Sequence, residues 1–173
     1  MRYRQKGFFV AAVLLMSLMS ASLGMGLTIP TSESLTAFLP PAPNGWNADP
    51  LSSSAFDHPT GSFVYQSYTG PSGRTVNVAI QVFKGPTQAE GQEDEEFQCS
   101  WDSREYDVQG FRVYDMTIQC PDYSDHSLYT ALLDNEDFLF SVSVSEDGTV
   151  EDDGTLRAIL ESMDLKGLRS LAE

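Results

Sequence analysis

The chain has 173 residues, with 25 acidic side chains against 10 basic ones and a net charge of −15. An acidic surface of this kind repels nucleic acid and anionic lipid headgroups. Two cysteines and two histidines make no two-ligand clip for zinc, and neither Gly-x-x-x-x-Gly-Lys nor Gly-x-Gly-x-x-Gly occurs to hold a phosphate.

Arg2, Arg4 and Lys6 precede an apolar run over residues 8–19, and the small residues Ser20, Ala21, Ser22 and Gly24 follow it. A basic start, an apolar centre and a small-residue exit predict a signal peptide over residues 1–24, cut after Ser22 or Gly24. An uncleaved anchor is the alternative, since residues 7–27 just reach the roughly 20 needed to span a bilayer. Serines 17, 20 and 22 argue against it. Residues 25–173 then form a single domain, in which seven basic residues face all 25 acidic ones, a net −18.

Thr31 or Ser32 is placed to cap a short helix running to Leu39, with Glu33 in its first turn and Pro40 and Pro41 to stop it. A turn at Pro43-Asn44-Gly45 delivers Trp46 as a core plug. Residues 49–58, with three successive serines, show no period and are read as loop or short helix. A β-hairpin follows over residues 62–69 and 75–83, turning at Gly70-Pro71-Ser72-Gly73. Its second strand alternates Val76, Val78, Ile80 and Val82 against polar neighbours, so one face is buried. The acidic run 90–96 follows as a connection.

Three β-type runs then come in series, over residues 111–119, 126–134 and 137–145. In the first, Tyr114, Met116, Ile118 and Cys120 share a face; in the third, Phe138, Phe140, Val142 and Val144 do. The second is apolar on both faces, as a central strand should be. If residues 98–107 pair antiparallel with 112–120, partners sum to 219, and Cys99 lies opposite Cys120 while Trp101 lies opposite Ile118. A disulfide between Cys99 and Cys120 is expected on this register and suits an oxidising compartment. No Cys-x-x-Cys is present to suggest redox work. Asp152 or Asp153 is placed to cap a closing helix from Thr155 to Met163, whose Leu156, Ile159, Leu160 and Met163 make one apolar stripe. Residues 165–171 extend that cover. These elements define an α+β fold: one mainly antiparallel sheet with a short N-terminal helix and a C-terminal helix packed on it.

Catalytic patterns are thin. His58 precedes Pro59, His126 adjoins Asp125, and no Gly-x-Ser-x-Gly elbow raises a serine. Carboxylates are so numerous that a pair at glycosidase spacing would carry no information. No catalytic residue and no cofactor is assigned. Two binding features stand out. Tyr65, Tyr68, Tyr114 and Tyr129 are aromatic residues able to line a ligand cleft. Asp147, Glu151, Asp152 and Asp153 crowd an acidic turn that offers hard oxygen ligands to calcium, although no EF-hand spacing is met.

The run Leu39-Pro40-Pro41-Ala42-Pro43-Asn44-Gly45-Trp46 and the ending Met163-Asp164-Leu165-Lys166-Gly167-Leu168 resemble a group of uncharacterised exported bacterial proteins with an LPPAPxGW start. The order of elements is similar to Mog1/PsbP-like domains. The resemblance implies an antiparallel sheet flanked by helices and brings no catalytic residues to these positions. The expectation is a non-enzymatic exported domain, periplasmic or secreted, that binds a protein partner or a small apolar ligand. It has no nucleic-acid partner and touches a membrane only through an uncleaved signal. The alternatives are a hydrolase with a carboxylate-based site and a calcium-stabilised envelope protein.

Overall fold

The computed structural model describes residues 27–84, 99–148 and 154–173. The predicted signal peptide, the acidic run 90–96, and Glu151, Asp152 and Asp153 lie outside the described residues. Thr31 caps the first helix, α1 (Ser32–Thr36), by accepting from the Ser34 N–H at 3.2 Å, and Leu35 is fully buried beneath it. The Ser32 N–H and hydroxyl both donate to the Asp57 carboxylate, at 2.6 and 2.7 Å, and so tie the helix to the first strand.

Seven strands follow: β1 (Asn47–His58), β2 (Gly61–Thr69), β3 (Thr75–Lys84), β4 (Ser100–Val108), β5 (Phe111–Gln119), β6 (Ser124–Asn135) and β7 (Phe138–Asp147). They form one sheet in the order β1-β2-β3-β7-β6-β5-β4, every neighbouring pair antiparallel. Strand β7 returns to pair with β3, so β4 is carried to the far edge, and residues 85–98 join β3 to it. The segment read as loop or short helix is β1. It escaped the two-residue period because it is an edge strand, wet along most of its length, and its register with β2 shifts between Asp49 and Ser53, beside Pro50.

The chain ends in α2 (Thr155–Ser162) and α3 (Leu165–Ser170), which pack on one side of the sheet. The predicted stripe of Leu156, Ile159, Leu160 and Met163 is buried, as are Leu165 and Leu168. Beneath them lie Val64 and Tyr68 of β2, Val76 to Val82 of β3, Leu128 of β6, and Phe140, Val142 and Val144 of β7. The N-cap of α2 is Gly154, at φ +78°, in place of either predicted aspartate.

The pairing of β4 with β5 follows the predicted register, from Ser100 opposite Gln119 to Val108 opposite Phe111. Just beyond it Cys99 and Cys120 form the disulfide, their Cα atoms 4.2 Å apart. The shared face of Tyr114, Met116 and Ile118 on β5 is present, and it is the uncovered one. Phe111 and Val113 turn to the helix-covered core, while Tyr114, Met116 and Ile118 take the opposite side and are only half-buried. The turn Gln109-Gly110 has both residues at positive φ, +57° and +90°, the backbone that a two-residue hairpin loop demands. Gln109 tolerates it because its side chain is employed. Its Nε2 donates to the Met163 carbonyl at 2.7 Å, and its Oε1 accepts from the Leu165 N–H at 3.2 Å, bridging α2 to α3.

Candidate binding face

No described helix packs on the other side of the sheet, and the tyrosines converge there. Tyr65 pairs with Ala79, Ala79 with Ser143, Ser143 with Tyr129, and Tyr129 with Tyr114. One row across five strands therefore carries three tyrosines on a common face. At about 4.8 Å per strand, Tyr65 stands some 14 Å from Tyr129, and the positions between them hold only Ala79 and Ser143. The rows on either side are also small or amide-bearing at these strands: Gln81, Ser141 and Ala131 on one, beside Phe63, and Asn77, Ser145 and Ser127 on the other, between Ser67 and Met116. The middle of this face is therefore small and hydroxyl- or amide-bearing between tyrosines on either side, with Ser141 fully buried and Tyr129 only 7% exposed.

The face is fixed by hydrogen bonds. The Tyr65 hydroxyl donates to Asn77 Oδ1 at 2.7 Å and lies 2.9 Å from the Ser67 hydroxyl, leaving its ring stacked on Phe63. Gln81 donates to the Ser141 hydroxyl at 3.0 Å. Burial pushes the Tyr129 phenol above its ordinary range, and the nearby Asp134 and Tyr114 add to this against the lowering effect of the Ser141 hydrogen bond. Asp134 is likewise raised by desolvation. Phe56, Phe83 and Trp101, all about half exposed, fall on the same face by register with Phe63, Gly61 and Ile118.

Tyr68, the fourth predicted cleft residue, is elsewhere. It sits on the helix-covered side, 2% exposed, and donates its hydroxyl to the Pro40 carbonyl at 2.6 Å. It falls three residues from Tyr65, so the two-residue period sends the pair to opposite faces. For calcium, the Asp147 side chain and residues 151–153 lie outside what is described. Among the described residues no group of three or more His, Cys, Asp or Glu is placed to hold a metal ion.

The core side holds a charged cluster that sequence reasoning missed. The Arg74 guanidinium grips the buried Glu146 carboxylate through two hydrogen bonds, Nε to Oε1 at 2.6 Å and Nη2 to Oε2 at 2.7 Å, and lies 5.7 Å over the Trp46 ring. Glu146 is directly opposite His126, and His126 Nε2 meets Asp115 Oδ1 at 2.9 Å. The signal was available in the strand period: Glu146 continues the inward series Phe140, Val142, Val144, and His126 the series leading to Leu128 and Thr130. The histidine is 3% exposed and packed between strands. It reads as a structural pair joining β5 and β6.

A separate open cleft of about 440 Å³ lies where α3 meets the β4–β5 turn, lined by Gln109, Phe111, Lys166, Arg169 and Glu173, and includes none of the predicted site residues. Among the described residues no helix is long and apolar enough to cross a membrane. Comparison with family models, with curated proteins and with solved structures finds no match to the chain. The fold defines a single α+β domain, a seven-stranded antiparallel sheet with helices on one side and a disulfide at one edge.

Proposed function

We propose that this protein is an exported, non-enzymatic binding domain whose partner is another protein, seated on the tyrosine-bearing face of the sheet. The observation that carries the reading is the single row Tyr65-Ala79-Ser143-Tyr129-Tyr114 on a side that no described helix covers. Tyrosine and tryptophan are favoured at protein interfaces because one end is apolar and the other forms hydrogen bonds. A broad sheet face suits a macromolecular surface better than an enclosed small molecule. The partner presents a patch of apolar side chains with a basic rim, to complement the exposed Glu105 and Asp134 beside the row and a net charge of −15. Export is supported by the disulfide, which persists in oxidising compartments, and by the basic-then-apolar start of the chain.

The test is capture from the cell envelope by the protein and by its Tyr65→Ser/Tyr114→Ser variant, with retained proteins identified by mass. A partner held by the native protein, released by raised salt and lost from the variant supports the reading. Equal retention by both overturns it.

A further inference from the structure

We infer that strand β4 is a self-complementary edge through which two copies of this chain join their sheets. The two edges of the sheet are not alike. At β1, Pro50 and the register shift between Asp49 and Ser53 interrupt the outer backbone, a usual defence against edge pairing. At β4 the pairing with β5 runs without a break over nine residues, and no described strand lies beyond it. The side chains of Asp102, Arg104 and Glu105 are 70%, 72% and 55% exposed, so both faces of the strand stand clear.

Backbone direction follows from the hairpin. The pair closing a two-residue loop, Val108 with Phe111, exchanges both hydrogen bonds, and alternate residues do so thereafter. Val108, Tyr106, Arg104 and Asp102 therefore bond inward to β5, while Glu105 and Ser103 point their N–H and C=O groups outward. The Ser103 N–H shows this directly, because it donates to Asp102 Oδ1 at 3.0 Å and not to the ladder.

An isologous pair of antiparallel strands must place one residue on the two-fold axis, opposite its own copy. Centring on Arg104 sets arginine against arginine, and centring on Asp102 or Glu105 sets acid against acid. Centring on Ser103 alone satisfies the charges. Asp102 then faces Arg104 of the partner twice over, Trp101 faces Glu105, and Ser100 faces Tyr106. Ser103 exchanges its N–H and C=O with the partner's serine at the axis, and the Asp102 carboxylate that capped that N–H turns to the partner's arginine. Within one chain Asp102 and Arg104 stand 3.9 Å apart along the strand, so Arg104 has no close acid of its own and Asp102 gives up only its bond from the Ser103 N–H. An edge-only contact is small, which places the association among weak, concentration-dependent dimers.

The experiment is sedimentation velocity on the purified protein from micromolar to millimolar loading, with far-UV circular dichroism to verify the fold. The native protein moves from monomer towards dimer as concentration rises. Asp102→Arg places arginine opposite Arg104, and Arg104→Asp places aspartate opposite Asp102. Each raises the dissociation constant about tenfold or more, since two like-charged cross-strand pairs replace two unlike ones. Mixed in equal amounts, the two variants associate, because every acid of one chain then faces an arginine of the other. The double variant Asp102→Arg/Arg104→Asp regains the homodimer. A native protein that stays monomeric to millimolar loading overturns the inference, as does dimerisation untouched by either single change or a mixture that fails to associate. An edge that takes up only unrelated extended peptides leaves the protein alone monomeric and counts against it too.

Discussion

Removing the arginine of the Arg74–Glu146 pair should cost more than neutralising the glutamate, and the structure sets the size of the difference. Glu146 is 3% exposed, so Arg74→Ala leaves a carboxylate in the core without its cation. Breaking a fully buried ion pair from one side typically costs about 3–5 kcal/mol. The Arg74 side chain is 36% exposed, so water enters where it stood and reduces the loss to about 2–3 kcal/mol. The guanidinium over Trp46 adds about 0.5 kcal/mol at such a site. Glu146→Gln keeps the shape and an acceptor and leaves Arg74 able to find water, for about 1–2 kcal/mol. Arg74→Ala/Glu146→Gln buries a neutral amide and should fall below the sum of the single changes by about 1–2 kcal/mol. At about 2–4 °C per kcal/mol for a domain of this size, Arg74→Ala lowers Tm by roughly 5–14 °C. Urea unfolding followed by circular dichroism, at unchanged m-value, gives the energies. A loss under about 0.5 kcal/mol for Arg74→Ala, or strict additivity in the double variant, refutes the view that this pair is a buried clamp.

Cys99→Ala/Cys120→Ala opens a loop of sequence separation 21 and should cost about 3 kcal/mol on the chain-entropy account, read as a lower urea midpoint. A Cβ on Gly70 would press within 2.6 Å of the Trp46 ring, so Gly70→Ala displaces the indole and costs about 1–3 kcal/mol, with a changed near-UV spectrum as the second readout. Gln109→Ala and Gln109→Gly both lose the bridge between α2 and α3. Glycine also relieves the left-handed backbone, so the alanine variant should be the less stable by about 1 kcal/mol in the same assay. Burial raises the phenols of Tyr68 and Tyr129 above 10 in the folded chain, so their contribution is whole below the unfolded value near 10 and is lost as pH climbs through the raised one. Tyr129→Phe should flatten that alkaline loss of stability in urea midpoints taken between pH 8 and 11.

Much of the fold was legible because its strands keep a strict two-residue alternation wherever one side is dry. Val76 to Val82 and Phe138 to Val144 declared both their extent and their inner face. The register of β4 on β5 could be found because a two-residue loop and two cysteines fix the same pairing from its opposite ends. Strand β1 was not legible. Its pairing with β2 is specified by β2, and an edge strand broken by Pro50 and three serines needs no period of its own. The cap of α2 was not legible either, since Gly154, at φ +78°, takes the N-cap position without the side-chain hydrogen bond that an aspartate there would make.

The face of β5 shows where periodicity stops being informative and what the candidate face owes to that limit. Both sides of this strand are half apolar: Phe111 and Val113 on one, Tyr114, Met116 and Ile118 on the other. Alternation separates the two sets but says nothing about which one meets the helices. That is settled by neighbours, because Val113 lies across from Thr130 on the side where β6 continues to Leu128, while Tyr114 lies across from Tyr129. The same step brings Tyr65 into the row through Ala79 and Ser143, two residues with too little side chain to announce a site by themselves. Tyr68 was drawn to the predicted cleft by its residue type, and its parity sent it to the core. The row is a property of strand order: only when β7 returns between β3 and β6 do the small positions Ala79 and Ser143 line up between the tyrosine of β2 and those of β5 and β6.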